Sequence, residues 1–382
     1  MSLLIVGLIG LFFLIYGAGN YYIGTRFLQS FQSILRPYAW YYWVAVAVLA
    51  LSPFIARLLK RDTQSVFISS AALVGDYWLA VFYYLLMLWA VFDVIRLVTR
   101  GVLSPSPYVG LGMILIIVVL LGYGTWNARQ PRITRYDISV PKQAHGLTEL
   151  RAVLVSDIHL GTTISNERLE HMVEQINTLD PDIVFFAGDI IDGDISQFAE
   201  EAMPQVLSKL TPRLGSFAIF GNHEHIGGHG AQAMKHLGEA GITVLRDQYV
   251  KVNDQFYVVG REDRSGPRMR GRLGGAERLG LAQLMEGIDH SLPIILLDHQ
   301  PSNLGEPLLN GADLQLSGHT HYGQFFPNNV VTGMLFEVDW GYLKKETLQV
   351  IVSCGFGTWG PPIRIGSYSE IVDIVIRFEA GQ

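Results

Sequence analysis

Four apolar runs in the first 126 residues constrain this chain more than any other feature of it. Each is close to the roughly 20 residues that cross a bilayer as a helix, and they read as Leu3–Ile23, Ala39–Leu59, Ala71–Ile95 and Tyr108–Trp126. Tyrosine and tryptophan gather at their ends, among them Tyr22, Tyr38, Trp40, Tyr77 and Trp126, and amphipathic rings prefer the headgroup level. One such run alone would equally suit a buried helix of a soluble domain. Four in series, joined by short polar connections that hold arginines, make a transmembrane region the better reading. Composition agrees: 49% of the 382 residues are hydrophobic and 16% charged, too apolar a balance for an ordinary cytosolic enzyme.

The first run has no basic residue ahead of it and continues through Ala18–Ile23 without a clear small-residue cleavage site. It is therefore expected to stay as a span rather than leave as a signal peptide. An even number of spans puts both ends of the chain on one side. Lysine and arginine in short loops set the orientation. Arg57, Lys60, Arg61, Arg129, Arg132 and Arg135 fall on the shared side, and Arg26, Arg36, Arg96 and Arg100 on the other. That balance favours a multi-pass protein of the cell membrane with its C-terminal part in the cytoplasm. Asp76 and Asp93 lie at or within the third run and are expected in the interface zone. The single cysteine, Cys354, excludes an intrachain disulfide framework, and a formal net charge of −6 argues against nucleic acid as a partner.

After Trp126 the texture changes. Residues 127–149 are polar, contain proline and arginine, and read as a linker, leaving 150–382 for a second domain. There "RAVLVSD" predicts a buried strand, "NERLEHMVEQINTL" an amphipathic helix and "PDIVFFAGD" the next strand. "GSFAIFGNHE", "LPIILLDHQP" and "DLQLSGHTH" repeat one arrangement, an apolar strand running into a polar, metal-capable cluster at its C-terminal end. Open α/β sheets place their sites at the carboxyl ends of strands. One such cluster is commonly a turn or a helix cap, whereas five in one domain call for a site.

In chain order the clusters hold Asp157 and His159 in "SDIHLG", Asp189 and Asp192 in "GDIID", Asn222 and His223 in "GNHEH", His299 in "DHQP", and His319 and His321 in "GHTH". Carboxylate, imidazole and amide oxygen form a mixed N/O set suited to Mn, Fe or Zn. Seven of these nine taken as ligands would exceed one tetrahedral centre and suit two centres with a shared bridge. His225 and His229 are expected as plain loop histidines.

In order and spelling these motifs, D-x-H, G-D-x-x-D, G-N-H-E, a lone histidine after a strand and G-H-T-H, resemble the calcineurin-like metallophosphoesterases over about Leu150 to Glu379. "GFGTWGPPIRIGSYSEI" resembles the closing motif of the membrane-associated bacterial branch of that family, in which a glycine is frequent where Tyr322 stands. The resemblance implies a four-layer α/β/β/α sandwich that hydrolyses a phosphate ester with two divalent metal ions. Carried over position by position, Asp157, His159 and His321 would hold one metal, Asn222, His299 and His319 the other, and Asp189 would bridge them. His223 would be the general acid or transition-state donor, and Asp192 would position the site.

Two cations about 3.5–4 Å apart can activate a water and clamp the attacking and leaving oxygens of an in-line displacement. The expectation is thus an integral membrane metallophosphoesterase. Its tether makes a lipid-linked substrate plausible, while monoester, diester and pyrophosphate differ in pocket shape and stay open. Arg364 is a candidate phosphate contact, since its planar fork suits phosphate. Arg261, Arg264, Arg268, Arg270 and Arg272 form either a solvated loop or a surface for anionic headgroups. A non-catalytic membrane sensor with a structural metal would have lost one or more reactive groups, and every motif position here is filled.

Overall fold

The computed structural model describes residues 3–60, 66–161, 164–192, 195, 198, 202–226, 230–266 and 278–379. They divide into two units, Met1–Thr125 with Gly360–Pro362, and Trp126–Trp359 with Ile363–Gln382. In the first, the apolar runs become helices α1 (Leu3–Ser30), α2 (Ala39–Lys60), α3 (Val66–Val98) and α4 (Pro107–Ala128). All four are long and apolar enough to cross a membrane. Leu14, Val48, Val94 and Val119 lie exposed on their outer surfaces, a distribution suited to hydrocarbon rather than water.

Local chemistry explains how these helices tolerate polar and helix-breaking residues. Pro53 has no N–H for the Leu49 carbonyl one turn earlier, and the Ser52 hydroxyl donates to that carbonyl instead at 2.7 Å. Gly75 lets α3 approach at the same level, because a Cβ there would sit 2.6 Å from the Pro53 Cα. Asp93, expected in the interface zone, accepts hydrogen bonds from Arg26 Nε at 3.0 Å and the Tyr22 hydroxyl at 2.5 Å. The carboxylate is thereby neutralised within the helical unit. Asp76 is buried.

The second unit holds two six-stranded sheets. The first is built from β1 (Arg132–Val140), β2 (Glu149–Val155), β3 (Ile183–Ala187), β4 (Ser216–Ile219), β5 (Ile242–Val244) and β12 (Glu370–Phe378). Its order is β1-β12-β2-β3-β4-β5, with β2 to β5 parallel and β12 antiparallel to β2. The second comprises β6 (Gln248–Val252), β7 (Phe256–Gly260), β8 (Ile294–Leu297), β9 (Leu314–Ser317), β10 (Gly341–Lys345) and β11 (Leu348–Val352). Its order is β10-β11-β9-β8-β7-β6.

Strand periodicity sorts the side chains. Along β2, Leu150, Ala152 and Leu154 pack between the sheets against Phe256, Leu297 and Leu316, whereas Val153 and Val155 face the other way. They meet Leu169, Met172, Val173 and Ile176 of helix α5 (Asn166–Thr178), which Ser165 caps through Arg168 N. A third core, with Leu281, Leu284 and Leu292, covers the outer face of the second sheet. The result is the expected α/β/β/α sandwich. Helix α6 (Gly230–Glu239) leads into β5, and helix α7 (Asn328–Leu335) follows β9.

One expectation is corrected. Residues 132–140, read as part of a linker, form β1 and pair in parallel with β12 from Arg132↔Glu370 to Val140↔Phe378. The stretch "RITRYDISV" alternates: Thr134, Tyr136, Ile138 and Val140 turn inward, and Ile133, Arg135, Asp137 and Ser139 outward. The outward charges suit an edge strand and gave the segment the texture of a linker.

Candidate metal centre

The second unit turns the carboxyl ends of β2, β3, β4, β8 and β9 into short loops that carry all the expected ligands. These loops latch to one another: Asp157 N donates to Gly188 O and His159 N to Asp189 O, both at 3.0 Å. His319 N donates to Asp157 Oδ2 at 2.9 Å, and His223 N to Asp189 Oδ1 at 2.8 Å. Asp157, His159, Asp189, His319 and His321 all have positive φ between 50° and 75°. Left-handed backbone costs about 1–3 kcal/mol per non-glycine residue, and its concentration on these five marks the loops as built for a site. Gly188 at φ +89° is required outright, since a Cβ there would lie 2.6 Å from His299 Nδ1.

Among the described residues three groups of potential ligand atoms have their members within 4.8 Å of one another: Asp157, His159 and His321; Asp189, His299 and His319; and, overlapping the first, His159, Asp192 and His223. In the first, His159 Nε2 is 3.2 Å from His321 Nε2, which is 3.4 Å from Asp157 Oδ1. In the second, His299 Nε2 is 3.2 Å from Asp189 Oδ2 and 3.3 Å from His319 Nδ1. Beside both, His223 Nδ1 lies 2.8 Å from Asp192 Oδ1.

Burial pushes the His159, His319 and His321 imidazoles below their ordinary pKa. They are neutral at pH 7 and have a lone pair to offer. Burial also works against charge on His299 and Asp189, but their mutual contact prevails, holding His299 well above and Asp189 well below its usual range. For His223, burial is outweighed by the Asp192 hydrogen bond and the Asp189 charge, which raise it to about 9.

A family model for calcineurin-like phosphoesterases matches residues 150–323. An uncharacterised metallophosphoesterase of Aquifex aeolicus is 34% identical over 266 residues, covering 69% of this chain and 98% of that protein. The chain belongs to the calcineurin-like metallophosphoesterase family. A Danio rerio protein named "transmembrane protein with metallophosphoesterase domain" is 35% identical over 69% of this chain, a match that spans 62% of that relative's length. An uncharacterised metallophosphoesterase of Campylobacter jejuni is 28% identical over 95% of this chain and 96% of its own, apolar helices included.

The residues present fit the divalent metals that the family implies. His299 Nδ1 donates to the Ala187 carbonyl at 2.7 Å, so a neutral ring must turn the Nε2 lone pair toward Asp189 Oδ2. Two acceptors at that distance repel unless a cation or a proton lies between them. The Asn222 side-chain oxygen is buried with no hydrogen-bond partner among the described residues, a costly state for an amide unless a ligand meets it.

Sequence reasoning misplaced Arg364. It is fully buried rather than open to substrate, and its guanidinium donates to the carbonyls of Cys354, Gly355 and Gly357 at 2.6–3.0 Å. With a further bond to His321 O at 3.3 Å, it braces the glycine-rich turn behind the first ligand group. Arg261 is likewise buried and ion-paired with Glu306 at 2.9 Å, and Arg264 donates to Ser302 O. Arg268, Arg270, Arg272 and His229 lie outside the described residues, while His225 Nε2 sits 2.7 Å from Glu262 Oε1.

Glu224, present in the G-N-H-E motif but given no role from sequence, accepts from the backbone N–H groups of Asp189, Ile191 and Gly221 at 2.8–3.1 Å. Burial, followed by the Asp189 charge, pushes it up to about 7. It pins two ligand loops together. Trp359 was also missed: its ring centroid is 6.1 Å from that of His223, and it is 61% exposed.

Proposed function

We propose that this chain is a membrane-anchored, metal-dependent phosphoesterase that hydrolyses a phosphodiester or phosphomonoester, with a lipid-linked ester as the favoured substrate class. The observation that carries this reading is the pair of three-atom ligand groups beside a histidine already paired with an aspartate. Two divalent ions held there, Mn, Fe or Zn, would polarise phosphoryl oxygens and acidify a water near neutral pH. Asp157, His159 and His321 would hold one and Asn222, His299 and His319 the other, with Asp189 available to both.

The remaining chemistry belongs to the protein. Asp192 receives the Nδ1 proton of His223 in a hydrogen bond and fixes the ring, leaving Nε2 to protonate the leaving alkoxide, a role worth about 10²–10⁴ in rate. Glu224 and Arg364 hold the loops so that the ligand atoms converge. Lipid linkage is supported by connectivity: only Arg129–Pro131 separate α4 from β1, so the catalytic unit works beside whatever bilayer holds the helices. The distribution of lysine and arginine supports a cell-membrane protein with this unit in the cytoplasm.

The test is hydrolysis of an aryl phosphodiester and the matching monoester by detergent-purified protein, with Mn²⁺ and with chelator, beside Asn222→Ala and His223→Ala. Metal-dependent turnover lost in both variants is expected. Efficient cleavage of the soluble ester with no action on esters in lipid micelles would remove the lipid part of the proposal, and metal-independent turnover would remove the whole.

A further inference from the structure

Helix α7 is built inside out. Its sequence "NNVVTGML" puts Val330, Val331, Met334 and Leu335 at i, i+1, i+4 and i+5, one face of a helix. That face points away from the protein. Met334 is 80% and Leu335 72% exposed, with Val330, Val331 and the preceding Phe326 all about half exposed or more. The polar residues make the inward contacts: Thr332 Oγ1 donates to Asp339 Oδ2 at 2.6 Å, and Asp339 O accepts from Thr320. No residue of α7 is buried, whereas α5 in the same unit buries four.

The patch continues toward the site. Phe326 follows His321 by five residues in the chain, and the Gln324 side chain between them grips the Trp359 backbone through bonds of 3.0 and 2.9 Å. Trp359 then adds its exposed indole next to His223. The helix carries no charge, and the nearest acid after it, Glu337, is paired with Lys345 at 2.8 Å. An uncharged, outward apolar face of this kind suits the interfacial layer of a bilayer. The same chain keeps that layer within reach through four candidate spans and a three-residue connection.

We propose that α7, with Phe326 and Trp359 at its flank, docks on the bilayer interface and brings the rim of the metal centre to an ester carried by a lipid. This rests on the reading of the chain as a membrane-anchored phosphoesterase. The test uses the full chain with Cys354→Ser and Met334→Cys, labelled with an environment-sensitive fluorophore and reconstituted into phosphatidylcholine–phosphatidylglycerol nanodiscs, with or without bromine on the upper acyl chain. Glu346→Cys in the same background serves as the solvent-exposed control. Expected are a blue shift and bromolipid quenching at position 334, with water-like, unquenched emission at 346. An unshifted probe at 334 overturns the proposal. A blue shift without quenching also overturns it, because a second copy of the chain would then cover the helix. Turnover of a soluble aryl phosphodiester, read on the same samples, separates the two ideas: quenching without turnover keeps the docking helix and rejects the enzyme, and turnover without quenching does the reverse.

Discussion

Strands of the first sheet lead into Asp157, Asp189 and Asn222, with His159 as the one imidazole among their candidate ligands, whereas those of the second lead into His299, His319 and His321. The Asp157 and Asp189 groups each take from both. Asp157 and His159 meet His321 across the sandwich, and Asp189 meets His299 and His319. Neither sheet holds a complete set, so a cation bound here would join the two sheets as well as serve the reaction. The donor types are also divided: both carboxylates of the two groups come from one side, and three of the four imidazoles from the other.

The largest effect expected from this division concerns His223, at the end of β4 in the first sheet. His223→Ala should lower turnover by about 10²–10⁴ yet retain the stabilisation that metal confers. If that stabilisation disappears as well, His223 is a ligand and the assignment of proton handling to one sheet fails. Next comes the metal itself. Thermal unfolding should show that Mn²⁺ at about 100 to 1,000 times its Kd stabilises the protein by about 3–4 kcal/mol relative to chelator. Asp157→Asn from the first sheet and His321→Ala from the second should each forfeit much of this gain, and a loss confined to one of them would make the site the property of a single sheet.

A smaller change is expected from Glu224→Gln. The amide offers one oxygen to N–H groups now shared by two, costing about 1–3 kcal/mol in thermal unfolding. An unchanged midpoint would mean that the ligand loops hold themselves. Smallest is Met334→Ser on α7. With no buried contact to lose, it should move stability by less than about 0.5 kcal/mol in detergent. A loss of several kcal/mol would show that this face is already packed against protein.

The candidate ligands stood out because each closes an apolar strand with residues that do little for packing, as in "LVSD" and "LSGHTH". Their grouping into two sets was legible only through family resemblance, since nothing local to the sequence says that His321 meets Asp157 while His319 meets His299. The alternation of strand and helix patterns pointed to an α/β domain, and the four-layer sandwich came from the resemblance. What failed had physical reasons. β1 hid because an edge strand wears charges on one face, and Arg364 misled because arginine is as able to gather backbone carbonyls as phosphate oxygens. Glu224 gave no signal, for its partners are main-chain N–H groups, one in its own loop and two in the distant loop after β3.

The neighbours of β12 bear on how such a protein is made. This strand, at residues 370–378, pairs on one side with β1 and on the other with β2. Both partners are more than 200 residues earlier in the chain. During synthesis the apolar helices and β2 to β5 leave the ribosome long before it does, and pairing over such sequence separation is slow. Until β12 is inserted, β1 has no strand to join and the adjoining edge of β2 is open to other chains. The catalytic unit is therefore completed late, and a nascent chain stalled before Glu370 would be held by its helices with an uncovered sheet edge, a form for chaperones to shield or proteases to remove.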